Sequence, residues 1–170
     1  FWFDPVRVKR AVNEIAVQLS DLDKEGSDVY RTNASAYIDR LDELHAWIQQ
    51  RVTEIPPERR LIVTSHDSFS YFAKLYGFDI VATIIPSISS GVDPSAEHLT
   101  QVIEKVGQHD VPAVFGEVTV SERLANAIAV ETGATLVRLY SGSLGPEGSG
   151  ADTYIGMMRT NVELIVGALQ

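Results

Sequence analysis

The 170-residue sequence contains no cysteine, which excludes Cys-ligated zinc, thiol catalysis and a disulfide framework without assigning a compartment. No apolar run approaches the length of a membrane span. Basic residues are scarce. Fourteen Lys and Arg against 23 Asp and Glu leave a formal charge of −9, so neither nucleic acid nor an anionic membrane surface is a natural partner. There is no internal repeat of solenoid period and no low-complexity tract. What remains is ordinary: 45% hydrophobic residues, enough for one good core and too many for a disordered chain. The opening Phe1-Trp2-Phe3-Asp4-Pro5 has neither an initiator Met nor a basic-then-apolar leader, and predicts a fragment of something longer.

Asp4-Pro5 reads as a helix N-cap followed by a first helical residue. Val8, Val12, Ile15, Leu19 and Leu22 then recur at spacings of three and four, the mark of one apolar helix face. Gly26 is expected to end that helix with a positive φ. A second stripe, Tyr30, Ala34, Tyr37, Leu41, Leu44 and Ile48, predicts a long helix over 28–54, stopped by Pro56-Pro57. Beyond it, short apolar runs at 61–64, 80–85, 113–115 and 135–139 alternate with helical patterns at 68–76, 94–107, 121–132 and 153–169. Asp93-Pro94 and Ser121 are the expected helix openings, and Gly133 an expected helix end. Strand–helix alternation implies a parallel sheet covered on both faces. The fold class is therefore α/β: a four-stranded parallel lobe over 60–170, preceded by two helices without a sheet of their own.

In open α/β sheets, ligands collect at the carboxyl ends of the strands. His66 lies just beyond the strand 61–64 and Glu117 just beyond 113–115. The glycine-rich stretch Ser141–Asp152 joins the last strand to the last helix, and reads as a flexible approach to it. Each candidate also has a structural reading. His66 could cap the helix starting near Ser68, Asp152 stands where an N-cap belongs, and Glu117 could accept backbone N–H groups in a turn. His45, His98 and His109 fall on polar helix faces or in a loop and carry little functional weight. Ser65-His66-Asp67 has the residue types of a catalytic triad without its geometry or a G-x-S-x-G elbow. The glycine-rich stretch lacks both the G-K-[ST] of a phosphate loop and the dinucleotide spacing.

Four segments, "VTSHDSFSYFAKLYGF", "PSAEHL", "VPAVFGEVTVSERLANAIAVETGA" and "LGPEGSGADTYIGMMRTNVELIVGAL", together resemble the C-terminal half of the zinc- and manganese-specific substrate-binding proteins of bacterial ABC importers. "FWFDPVRVKRAVNEIA" resembles the family's segment that follows its second metal-binding histidine, which would stand immediately before Phe1. The resemblance implies that His66, in the "SHD" motif, is the family's third metal ligand, and that Asp152, in "GADTYIGMM", is the fourth. Glu117 matches a recurrent acidic residue near the cleft rather than a ligand.

It further implies two α/β lobes joined by a long helix, with the cation held between them. Residues 1–25 would then be a helix of an N-terminal lobe missing here, 28–54 the connecting helix and 60–170 the C-terminal metal-binding lobe. The implied function is capture of Zn²⁺ (or Mn²⁺) outside the cytoplasm, in the periplasm or on a lipid anchor, and delivery to a membrane permease. It is a binding module, not an enzyme. The shell would be incomplete in this chain. Histidine at position 66 points to zinc, because softer nitrogen donors favour Zn²⁺ over Mn²⁺. The uncovered stripe of helix 5–22 is expected to pack against another copy of the chain. The rival reading is a stand-alone α/β hydrolase-like enzyme using His66 with Glu117 or Asp152, for which no nucleophile or cofactor motif is present.

Overall fold

The computed structural model describes residues 1–86, 94–118 and 122–170. Helix α1 (Pro5–Leu22) opens as expected: the Asp4 side chain accepts the Arg7 backbone N–H, and Pro5 is the first helical residue. Its end differs from expectation. Asp23, in extended conformation, closes α1, and Gly26 has φ −80° as the N-cap of helix α2 (Ser27–Val52). The turn is tied by the Asp23 carboxylate, which accepts the Glu25 and Gly26 N–H groups and the Tyr30 hydroxyl. Gly26 is needed for close approach: a Cβ there would stand 2.4 Å from the Asp23 carboxylate and 2.8 Å from the Tyr30 ring.

Helix α2 is continuous, with no Gly or Pro to interrupt it. Leu41, Leu44 and Ile48 are wholly buried, so its C-terminal half is anchored in the lobe while Tyr30 and Ala34 stay beside α1. A 3₁₀ turn (Pro57–Arg59) leads to strand β1 (Leu61–Thr64), helix α3 (Ser70–Tyr76) and strand β2 (Asp79–Thr83). Helix α4 (Ala96–Gln108), strand β3 (Ala113–Glu117), helix α5 (Arg123–Thr132), strand β4 (Thr135–Leu139) and helix α6 (Tyr154–Leu169) complete the chain. The Ser95 side chain accepts the His98 N–H and caps α4, so the helix starts past Pro94; Asp93 and Ser121 lie outside the described residues. Gly133 ends α5 with φ 74°, as its position predicts.

The sheet is parallel, in the order β2-β1-β3-β4. Successive residues feed opposite faces: Ile62, Ala113 and Phe115 join one core with α2, α3 and α6, while Val63 and Val114 join a second with Val102 and Val106 of α4 and Ala125, Ile128 and Ala129 of α5. Both faces are thus covered, which is why the strands lack a polar alternation. The order has one consequence for function. The chain leaves β1 toward β2 on one side and leaves β3 toward β4 on the other. The neighbours β1 and β3 therefore send their connections apart, and the crevice between their carboxyl ends is the topological switch point where such sheets bind ligands.

Helix α1 packs along α2 rather than standing alone. Its stripe is divided: Val8 and Val12 pack onto the core of the lobe, whereas Ile15, Leu19 and Leu22 are exposed.

Candidate metal centre

His66 and Glu117 flank the switch-point crevice. The chain continues past Thr64 with Ser65, whose N–H bonds to Phe115 O and whose carbonyl accepts the Ile85 N–H. A tight turn then presents His66. Its carbonyl accepts the Thr64 hydroxyl at 2.9 Å and the Ser68 N–H at 2.8 Å, and its N–H donates to Glu117 Oε1 at 3.2 Å. The imidazole folds onto the same oxygen, with Nδ1 2.6 Å from Oε1. That contact is bent, since Nδ1 makes no aligned hydrogen bond, so its strength is electrostatic. Glu117 is fully buried at the end of β3, and its Oε2 accepts the Ser68 hydroxyl at 3.2 Å. Glu117 thus does more than accept backbone N–H groups in a turn. His66 does not cap α3, where Phe69 occupies the N-cap without a side-chain bond.

The His66 side chain is 23% exposed while its Nδ1 is sealed from solvent. The exposure therefore belongs to the other atoms of the side chain, and Nε2, which has no partner among the described residues, is the nitrogen not facing Glu117. An isolated buried carboxylate is costly in a protein interior. Three polar contacts from one turn offset that cost for Glu117, and in return fix the turn.

Asp152 is not the cap its position suggested. Thr153 caps α6, its side chain accepting the Gly156 N–H at 3.1 Å. Asp152 instead accepts the Gly148 N–H at 2.9 Å through Oδ2, which leaves its second oxygen available. Nor is the glycine-rich approach loosely built. Gly145 N–H bonds to Ala151 O at 2.9 Å, Ser149 N–H to Pro146 O at 3.0 Å and Ala151 N–H to the Ser149 hydroxyl at 3.2 Å. Gly148 and Gly150 take φ near +77°, and a Cβ on Gly156 would meet Gly150 O at 2.2 Å. The loop is wound onto the start of α6. Glycine here serves the left-handed backbone at 148 and 150 and close approach at 156.

The structure therefore brings His66 and Glu117 into contact and anchors Asp152 separately through Gly148. Among the described residues, no three His, Asp or Glu side chains converge as a metal-holding group. The other histidines have structural partners or lie elsewhere: His45 Nδ1 is 3.0 Å from the Tyr76 hydroxyl, His98 Nε2 is 3.0 Å from Thr83 O, and His109 ends α4. Ser68 was missed from sequence, since only the fold shows its hydroxyl reaching across to β3.

Residues 1–168 match the family described as the zinc-uptake complex component A, periplasmic. The chain belongs to that family. A manganese-binding lipoprotein of Halalkalibacterium halodurans is 37% identical over 169 residues, covering 99% of this chain and 56% of the relative. The periplasmic zinc-binding protein TroA of Treponema pallidum superposes with a TM-score of 0.89 at 27% identity, covering 99% of this chain and 62% of that one. The Cd-bound and Mn-bound forms of a periplasmic metal-binding protein from Candidatus Liberibacter asiaticus each give a TM-score of 0.87 at 26% identity, with 99% of this chain and 62% of that one covered. The chain thus spans about half the length of the curated relative it matches. These relatives carry metal-binding names, and the hydrolase-like alternative gains no support from them.

Proposed function

We propose that the chain is the cation-capturing C-terminal part of an extracytoplasmic substrate-binding protein, with His66 and Asp152 as metal ligands, that delivers Zn²⁺ (or Mn²⁺) to the membrane permease of an ABC importer. The observation that carries this reading is His66 itself. It stands at the switch point of a parallel sheet, its backbone and Nδ1 against Glu117, with no hydrogen-bond partner for Nε2 among the described residues, in a chain of the zinc-uptake family. Asp152 contributes the second donor from the wound loop after β4. An imidazole and a carboxylate are both good zinc ligands, and the remaining places of a four-coordinate shell are filled from outside residues 1–170. Within this reading α1, in segment 1–25, belongs to a companion lobe, α2, in segment 28–54, connects the lobes, and 60–170 is the metal-binding lobe. No described helix is long and apolar enough to cross a membrane, consistent with delivery to a separate permease. The chain acts by binding and carries out no reaction. Zinc is the favoured cargo because nitrogen ligation ranks Zn²⁺ well above Mn²⁺.

Calorimetric titration of the chain with Zn²⁺ and with Mn²⁺ tests the proposal. Weak zinc binding is expected, weaker still for manganese. His66→Ala should remove most of it and Asp152→Ala a large part, whereas His98→Ala and His109→Ala leave it intact. Acidification should also weaken binding, because protons compete for the imidazole that must be neutral to coordinate. Tight 1:1 binding by the chain, or binding indifferent to His66→Ala, refutes the assignment.

A further inference from the structure

We infer that Glu117 is the positioning residue of the metal centre: its carboxylate holds the His66 ring in the Nδ1–H tautomer and so presents the Nε2 lone pair to the cation. This rests on His66 being a metal ligand and assigns to Glu117 a role distinct from ligation.

The geometry allows little else. Oε1 lies 2.6 Å from Nδ1. A lone pair on Nδ1 would face the lone pairs of an anionic oxygen at that distance, which is strongly repulsive, whereas an N–H there is attracted even when the approach is bent. The same oxygen accepts the His66 backbone N–H at 3.2 Å, so one atom fixes both the backbone and the ring of a single residue. Oε2 is held by the Ser68 hydroxyl at 3.2 Å. With both oxygens engaged and no surface exposed, Glu117 cannot reach a cation outside the ring without dismantling the turn. A ligating histidine whose other nitrogen faces a carboxylate is a stronger and better-oriented donor. The arrangement spans two strands, with His66 after β1 and Glu117 at the end of β3. Ligand geometry is therefore tied to the integrity of the β1–β3 pairing rather than to the turn alone.

The test uses the ¹⁵N-labelled chain, with Zn²⁺ alone as the probe. Long-range ¹H–¹⁵N spectra of the metal-free chain, at a pH where the ring is neutral, report which nitrogen of His66 carries the proton; His66→Ala identifies its signals. The Nδ1–H form is expected, and an Nε2–H form overturns the inference whatever happens to any variant. In Glu117→Gln, which keeps the shape of the side chain, His66 should become a tautomer mixture. Zinc affinity should fall by about 10–100-fold, the usual loss when a ligand's outer partner is removed, while His45 and His98 signals stay put. Unchanged His66 signals with unchanged affinity overturn the inference. So does loss of binding with the Nδ1–H form retained, since Glu117 would then be a ligand itself. If His66→Ala leaves zinc binding intact, the metal-site assignment fails instead, and the tautomer measurement still judges the Glu117–His66 contact by itself.

Discussion

Replacing Gly156 by Ala perturbs a place where the wound loop and the last helix share space. The added Cβ would stand 2.2 Å from Gly150 O, 3.2 Å from Gly150 C and 3.0 Å from Thr153 Oγ1. The first two are backbone atoms, so relief requires the loop to retreat by about an ångström, against the Gly145–Ala151 hydrogen bond and the Gly148–Asp152 bond that close it. Overpacking of this kind costs about 1–3 kcal/mol, partly offset by up to about 1 kcal/mol for Ala over Gly in a helix. A net loss of up to about 3 kcal/mol follows, at roughly 2–4 °C in Tm per kcal/mol for a chain of this size. Gly167 supplies the control. It lies in the same helix, is exposed, and has nothing within 4 Å of an added Cβ, so Gly167→Ala should gain up to about 1 kcal/mol from helix propensity alone. Thermal and urea denaturation of both variants measure the pair, and zinc titration reads the effect on Asp152, two residues beyond Gly150. Gly156→Ala should destabilise and weaken zinc binding while Gly167→Ala does neither. If both variants shift stability in the same direction, close packing does not govern the loop and the reasoning fails.

Two further outcomes are expected. Burial pushes the Tyr76 and Tyr154 phenols well above their ordinary range, with the Asp4 carboxylate adding to both; the folded state keeps these protons when the unfolded chain would lose them. The stability they contribute is complete below about pH 10, the unfolded value, and is lost progressively as pH rises above it. Phenolate absorbance followed beside circular dichroism should show part of the six tyrosines titrating only as the fold is lost, and full titration before unfolding would contradict this. Separately, Ile15, Leu19 and Leu22 form an exposed apolar row, Leu22 at 86% exposure, against which a second copy of the chain can pack. Sedimentation should show concentration-dependent association that Leu22→Glu suppresses, and a strictly monomeric parent chain rules it out.

Local chemistry was enough to place every helix and strand to within a few residues, because stripe spacing, Asp4-Pro5, Pro56-Pro57 and Gly133 each act through neighbours in the chain. The same locality explains the misreadings. Asp152 and Thr153 are both good N-cap types, and only the path of the loop decides that Thr153 takes the Gly156 N–H while Asp152 turns back to Gly148. Gly26 carries the composition of a C-cap, yet its role is set by the Asp23 carboxylate and the Tyr30 ring closing around it. A glycine-rich stretch reads as flexible until its carbonyls are seen to be paired. Strand order is a property of long-range pairing that no local pattern encodes. By itself the sequence determined that His66, Glu117 and Asp152 fall at or beyond the carboxyl ends of separate strands of one parallel sheet. The tertiary structure decided that β1 and β3 are neighbours, because the right-twisted crossovers could have ordered the strands otherwise, and that adjacency alone sets the Glu117 carboxylate against the His66 ring.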